Sequence, residues 1–236
     1  MSETKPLIFY SQSGVLADWK CPRARYYGHE FAGVGLGSEE THLELYLGSA
    51  LHDGLAALAR GISIDIIAAA AFKQVNEALT EATAGQIDAE TFAIEQATLI
   101  EGMLRGFEKH AWPRLRAQFP EIVLVEKEML YRHDGLAFMA KPDLIVRDKE
   151  GSLWYIEYKS TSSNKDQWVN SWATAVQLHS AVRAVEATLG EKVTGVIVQG
   201  LYKGYVSYGK QGSPFCYAYY RGGNPPFTKA EYRYDY

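Results

Sequence analysis

The sequence predicts an α/β protein with a mixed β-sheet core flanked by helices and with an N-terminal helical extension. The first observation is that apolar residues before position 120 recur at helical spacing. The second is that the rest of the chain reads as three strands, a helix and a further strand, the order typical of a mixed sheet with covering helices. We therefore expect one domain, residues 1–236, with a mainly helical part over 1–120 and an α/β core over 121–236.

Four helices are expected in the N-terminal part. The second has apolar residues at positions 47, 51, 55 and 58, and the same periodicity continues in the two that follow. Thr83, Ala84 and Gly85 break the pattern between the third and fourth helices. Trp112 and Pro113 are expected to end or kink the fourth, because proline lacks a backbone N–H. The predicted helices are 15–27, 44–59, 63–82 and 88–111.

A β-hairpin is the clearest local signal in the core. Two apolar strands, 136–148 and 152–159, are joined by the polar turn Lys149-Glu150-Gly151. If Gly151 takes the left-handed position of a three-residue loop with a bulge, Asp148 faces Ser152. The register of every other pair in the hairpin then follows.

Counting back from the turn places Asp143 opposite Glu157, and Lys159 lies on the same face because side chains alternate along a strand. Charges on such apolar strands need partners or a metal. Two adjacent carboxylates repel each other unless a proton or a divalent cation lies between them. With a lysine to orient or deprotonate water, the three residues form a candidate site for metal-assisted phosphodiester hydrolysis. The alternative is an exposed hairpin with a surface ion pair.

The remaining core elements follow from similar patterns. Strand 122–131 is expected to pair with the strand that starts at Leu136, across the turn 132–135, and Glu126 is expected to point toward Asp143. A helix with Asn164 as its N-cap is expected to run to Leu189 and to stop at Gly190. Two further strands are expected over 193–201 and 215–220.

The composition bounds the function. The 236 residues are 47% hydrophobic, and the formal net charge of -4 gives no overall signature of nucleic-acid binding. Any basic DNA-contacting surface must therefore be local. Cys21 and Cys216 are too few for a disulfide framework, and no apolar run reaches the length of a membrane span. We expect a cytoplasmic protein with no membrane partner.

Several motifs resemble the PD-(D/E)xK nuclease superfamily in its RecB-like and phage-type exonuclease branch. They occur in the order of that family and span about 160 residues of the chain. The motifs are CPRARYY at 21–27, Gly48-x-x-x-His52, Lys141-Pro142-Asp143, Glu157-Tyr158-Lys159 and the helix with Gln177. The resemblance implies a restriction-endonuclease-like core in a single nuclease domain.

The resemblance also implies roles for individual residues. Asp143, Glu157 and Lys159 would be catalytic, and the metal, Mg²⁺ or Mn²⁺, would be held by Asp143, Glu157, His52 and the Tyr158 carbonyl. Gln177 is expected to bind substrate, although Ala181 stands where the family motif has a tyrosine. Glu126 is also expected to bind substrate. Only Cys216 could join Cys21 in binding a cluster, so no Fe–S cluster is expected.

These features favour a metal-dependent DNA exonuclease of phage or bacterial recombination or repair. Its expected partner is DNA, a single-strand annealing protein is a candidate second partner, and an oligomer is compatible with the sequence. A structure-specific or nicking endonuclease on the same site is the alternative within enzymes. From another class, the chain could be a catalytically inactive DNA-binding or assembly module.

Overall fold

A computed structural model describes residues 9–10, 17–31, 35–36, 43–83, 89–133, 136–161, 172, 175–203, 205–206, 217–220 and 230–233. The helices within these ranges are α1 (Pro22–Arg25), α2 (Leu43–Ala59), α3 (Ile64–Ala82), α4 (Ala89–Gly106), α5 (Trp112–Gln118) and α6 (Val176–Leu189). The strands are β1 (Phe9–Tyr10), β2 (Glu121–Val125), β3 (Met129–His133), β4 (Leu136–Ala140), β5 (Leu144–Arg147), β6 (Leu153–Thr161), β7 (Val193–Tyr202), β8 (Tyr205–Val206), β9 (Tyr217–Tyr220) and β10 (Ala230–Arg233).

Three of the four predicted helices match the structure. The first, expected over 15–27, is interrupted at Cys21, whose backbone is extended, so residues 17–20 and α1 are separate helical segments. Helices α2, α3 and α4 fall within one residue of their expected starts, and Ser63 is the N-cap position of α3. Trp112 and Pro113, expected to end or kink the fourth helix, begin a new helical segment, because a π-helical turn, Phe107–Ala111, leads directly into α5. Pro113 lies in the first turn of α5, a position at which helices tolerate proline. The proline therefore marks a junction between helical segments.

The main sheet has the strand order β2-β5-β6-β7, in which β2, β5 and β6 are antiparallel and β7 is parallel to β6. Gly151 has a φ of 83°, and the Asp148 N–H donates to the Ser152 carbonyl at 3.1 Å, as a three-residue loop requires. The register of the hairpin is the predicted one, with Leu144 opposite Ile156. The mixed α/β fold is thereby confirmed.

Two strands predicted as continuous are broken, which corrects the expected strands 136–148 and 122–131. Residues 141–143 separate β4 from β5, and residues 126–128 separate β2 from β3. Pro142 has no N–H for the ladder, and Glu126 has a φ of 46°, outside the strand region. Both segments of the chain therefore leave the main sheet at these breaks. Their other halves, β3 and β4, pair with each other in a second sheet, of order β1-β4-β3.

The main sheet is buried on both faces. Leu144, Val146, Ile156 and Tyr158 pack against the N-terminal helices in one apolar cluster. Residues of opposite parity, including Ile145 and Tyr155, pack against α6 in another. Alternation along the strands explains this division, and the two helical layers fix where the end of β6 lies.

The elements after β6 are only partly described. The proposed cap Asn164 lies outside the described residues, and the described helix begins at Val176. Gly190 ends α6 in the left-handed conformation, with a φ of 70°, as expected. The strand expected over 215–220 is described from Tyr217, as β9, in a third sheet of order β10-β9-β8.

Two glycines on α2 offer a test of the helical packing. A Cβ added at Gly54 would lie 2.6 Å from a methyl group of the buried Leu104, whereas one at Gly48 would meet nothing within 4 Å. Gly54→Ala should therefore cost about 1–3 kcal/mol of unfolding free energy. Gly48→Ala, the matched control, should gain about 0.5–1 kcal/mol because alanine has less chain entropy to lose in a helix. Urea unfolding of both variants measures the two effects, and equal effects would contradict the close packing at Gly54.

Candidate metal centre

The predicted site residues meet where the main sheet bends. Asp143 immediately precedes β5, Glu157 lies within β6, and His52 comes from α2. Both carboxylates are largely buried, with exposed fractions of 9% for Asp143 and 6% for Glu157. Buried carboxylates need compensating partners.

Both oxygens of Asp143 are held by the protein. Its Oδ1 lies 3.1 Å from Nδ1 of His52, and its Oδ2 accepts the backbone N–H of Tyr158 at 2.7 Å. The first contact ties α2 to the sheet, and the second fixes Asp143 against β6. Because two separate elements hold the carboxylate, its direction is set before any ligand arrives.

The bend brings Glu126 to the same point. Its backbone N–H donates to the Asp143 carbonyl at 2.9 Å, so the breaks in the two predicted strands are joined to each other. Glu126 is also the residue with a positive φ among the described non-glycine residues, a conformation that costs of order 1–3 kcal/mol and clusters at functional sites. Lys141 Nζ lies 2.6 Å from Glu126 Oε2 and compensates part of its charge.

His52, Glu126 and Asp143 form a group that suits a divalent cation. Each offers one ligand atom, and these atoms all lie within 4.8 Å of one another. Two carboxylate oxygens and one imidazole nitrogen are donors that Mg²⁺, Mn²⁺ and related ions accept in proteins. The donor set therefore fits a bound metal ion.

Glu157 and Lys159 form a pair beside this group. Lys159 Nζ lies 2.5 Å from Glu157 Oε1, and the lysine side chain is 32% exposed. The Tyr155 hydroxyl donates to Glu157 Oε2, and Gln177 Nε2 lies 3.5 Å from Oε1. Glu157 is therefore held from β6 and from α6, whereas Asp143 is held from α2 and β6.

The environment shifts two of these groups toward their protonated forms. Burial by itself would lower the pKa of His52, but its hydrogen bond with Asp143 and the charge of that residue outweigh burial, so its pKa is raised above 6.5. Burial, assisted by the charge of Asp143, raises the pKa of Glu157 above 4.5 against the opposing effects of Lys159 and Tyr155. Without a cation, protons take up part of the excess negative charge.

A pH-dependent stability follows. The raised pKa values mean that the folded metal-free protein binds more protons, so the stabilising contributions of His52 and Glu157 are complete below 6.5 and 4.5 respectively. Both are lost as pH rises through the folded-state pKa values. A cation replaces these protons, so Mn²⁺ should raise Tm more at about pH 8 than at about pH 6. Thermal melts with chelator and with Mn²⁺ measure this. An equal rise at both pH values would contradict it.

The predicted site residues lie close together in the structure, and residues that were not predicted to take part also contact them. Asp143, Glu157, Lys159 and His52 converge, and the N–H of Tyr158 contacts Asp143 while its ring packs on Phe107, with centroids 5.6 Å apart. Glu126 lies among the candidate cation ligands. Two residues that sequence reasoning left without a role, Lys141 and Tyr155, contact the acidic groups. Strand alternation points to Tyr155, which is two residues before Glu157.

The fold and the acidic site define an α/β protein with a candidate divalent-cation centre. The family model of the PD-(D/E)XK nuclease superfamily matches residues 11–214. The chain therefore belongs to this superfamily. Among the described residues, no helix has the length and apolarity to cross a bilayer.

The other comparisons are less informative about function. The search of curated proteins gives no match. Among solved structures, the crystal structure of protein VC1899 from Vibrio cholerae is matched with 12% sequence identity and a TM-score of 0.21. The match covers 78% of this chain and 51% of that chain, so the chain spans about half the length of VC1899.

Proposed function

We propose that the chain is a metal-dependent DNA exonuclease of the RecB-like, phage-type branch, acting in recombination or repair. The observation that carries the metal-dependent chemistry is the group His52, Glu126 and Asp143 beside the Glu157–Lys159 pair. The choice of an exonuclease is supported by the ordered motifs from CPRARYY at 21–27 to the helix with Gln177. The alternative is an endonuclease that uses the same site, and cleavage of closed circular DNA distinguishes it from an exonuclease.

The residues have distinct proposed roles. Asp143, Glu157 and His52 hold the cation, together with the Tyr158 carbonyl, and Glu126 joins them as a ligand instead of contacting substrate. A divalent cation would lower the pKa of a bound water and polarise the scissile phosphate. Lys159, next to Glu157 and partly exposed, orients or deprotonates the attacking water. Gln177, at the start of α6 and near Glu157, is proposed to face the DNA.

Incubation with end-labelled linear DNA and with closed circular DNA, in Mg²⁺ or Mn²⁺, tests the proposal. Degradation of the linear DNA alone is the expected result. Cleavage of circles would replace the exonuclease with an endonuclease, and retained DNA binding with no cleavage would indicate an inactive binding module. Asp143→Asn protein is the matched control, because a contaminating nuclease would survive that substitution.

The cysteines should be dispensable. Cys21 is exposed, and the two cysteines cannot supply the four ligands that Fe–S clusters usually take. We expect Cys21→Ser and Cys216→Ser to keep nearly full nuclease activity and the purified protein to be colourless. Absorbance spectra and iron analysis check this. Stoichiometric iron in a brown preparation would contradict it.

The cellular setting is proposed from the resemblance. We expect a cytoplasmic protein that acts on DNA together with a single-strand annealing protein, and self-association would help it to stay on one DNA molecule. Light scattering of the purified protein measures its oligomeric state. Co-purification with an annealing protein expressed from the same source tests the second partner.

A further inference from the structure

The Tyr155 hydroxyl has an unusual position for a residue of an apolar cluster. Tyr155 lies on β6 two residues before Glu157, it is 2% exposed, and its ring packs in the cluster between the main sheet and α6. Its hydroxyl donates to Glu157 Oε2. A phenol hydroxyl is protonated near neutral pH, so it can serve as a hydrogen-bond donor to this carboxylate.

The two carboxylate oxygens of Glu157 therefore have different partners. Oε1 faces Lys159 Nζ at 2.5 Å, and Oε2 accepts the Tyr155 hydroxyl. The last torsion of a glutamate side chain is broad, so packing alone does not fix the plane of the carboxylate. Each carboxylate oxygen has two lone pairs, so an oxygen that accepts one hydrogen bond can still coordinate a cation. The hydroxyl can therefore fix the orientation of Glu157 without using up its ligand capacity.

We propose that Tyr155 is a positioning residue of the candidate metal centre, whose hydroxyl holds the Glu157 carboxylate in the orientation needed to bind the cation. This inference rests on the proposed metal-dependent function. The Tyr155 hydroxyl is the partner of Glu157 Oε2, whereas Lys159 and Gln177 lie next to Oε1. Without the hydroxyl, the carboxylate turns toward the lysine ammonium, and the cation loses an ordered ligand.

Tyr155→Phe tests the proposal because it removes one oxygen and keeps the buried ring. Loss of a hydrogen bond that orients a metal ligand typically weakens metal affinity or activity by about 10–100-fold. We expect Mn²⁺ affinity, measured by calorimetry without DNA, to fall within that range. Turnover should fall with it, while the KM for DNA stays unchanged. A structural role alone would lower Tm and leave metal affinity unchanged.

Tyr131→Phe is the matched control. Tyr131 packs at the edge of the same apolar cluster and stacks on Phe138, with ring centroids 5.0 Å apart, and it belongs to β3 instead of the site. This variant should bind Mn²⁺ as the wild type does. Equal metal affinity in Tyr155→Phe and the wild type would overturn the inference while leaving the nuclease proposal intact. A wild type that neither binds metal nor cleaves DNA would instead overturn the proposed function.

A measurement on the wild type keeps the test decisive if Tyr155→Phe does not fold. With ¹³C at the tyrosine Cζ atoms, the Tyr155 signal should shift when Mg²⁺ is added, because the hydrogen bond to Glu157 changes as the carboxylate binds the cation. The shift should be absent in Glu157→Gln. A Tyr155 signal that does not respond to Mg²⁺ in the wild type would overturn the proposal.

Discussion

Asp143→Ala, Glu157→Ala and Lys159→Ala should each lower DNA cleavage on the order of 10⁴-fold or more, the scale seen when one member of a cooperating catalytic set is removed. Asp143 contacts His52 and the Tyr158 N–H, and Glu157 is paired with Lys159 at 2.5 Å. Each substitution therefore removes either a proposed metal ligand or the lysine that is proposed to act on the attacking water. Because the three residues act as one unit, a double variant should be little worse than a single one.

The controls separate catalysis from folding. Asp143→Asn keeps an acceptor for the Tyr158 N–H, so it should be inactive yet folded as judged by circular dichroism and thermal melting. Lys149→Ala and Glu150→Ala remove charges from the exposed turn of the same hairpin and should keep full activity. Single-turnover cleavage of linear DNA at saturating metal is the measurement. Near wild-type turnover in any one of the three alanine variants would show that the site is misassigned.

His52→Ala should weaken metal binding by about 10-fold or more. It should also reduce the preference of the site for Mn²⁺ over Mg²⁺. Mg²⁺ prefers oxygen ligands in near-ideal octahedral geometry, whereas Mn²⁺ accepts imidazole more readily. The candidate ligand atoms of His52, Glu126 and Asp143 all lie within 4.8 Å of one another. A site with this imidazole should therefore favour Mn²⁺, and the preference should largely disappear with the ring.

His52 should also make the rate of DNA cleavage depend on pH. Neutral imidazole is the ligating form, and the contact with Asp143 raises the pKa of His52 above 6.5, against the effect of burial. At limiting metal, cleavage should therefore fall as pH drops toward that pKa, and excess metal should move the fall to lower pH. The measurement is cleavage rate against metal concentration for both ions at several pH values. His179→Ala, at an exposed position on α6, is the control. Identical metal-dependence curves for wild type and His52→Ala would show that His52 does not bind the metal and only packs within α2.

Local sequence was sufficient for the central hairpin. Gly151 defines the turn, the residues on either side of it are consecutive, and each step along a strand has fixed geometry, so the pairing of Leu144 with Ile156 follows by counting. Helices α2 to α4 could also be predicted from local sequence, because their apolar faces are long and periodic. The breaks at 126–128 and 141–143 were not, although Pro142 was a signal that the second strand could not continue in the ladder.

The sequence by itself determined the helical and α/β parts of the fold and the register of the hairpin, and its ordered motifs predicted a nuclease site on Asp143, Glu157 and Lys159. The motifs also predicted His52 at this site, and Glu126 was expected to point toward Asp143, but only the tertiary structure decided which contacts these side chains make. His52 is 91 residues from Asp143, and its approach depends on how α2 packs between the other helices and the sheet. Glu126 reaches the site because of a bend, and Tyr155 because α6 buries its ring against the sheet. The contacts of His52 and Glu126 depend on the packing of elements that are distant in sequence, whereas Tyr155 shares the face of Glu157 through the alternation of side chains along one strand.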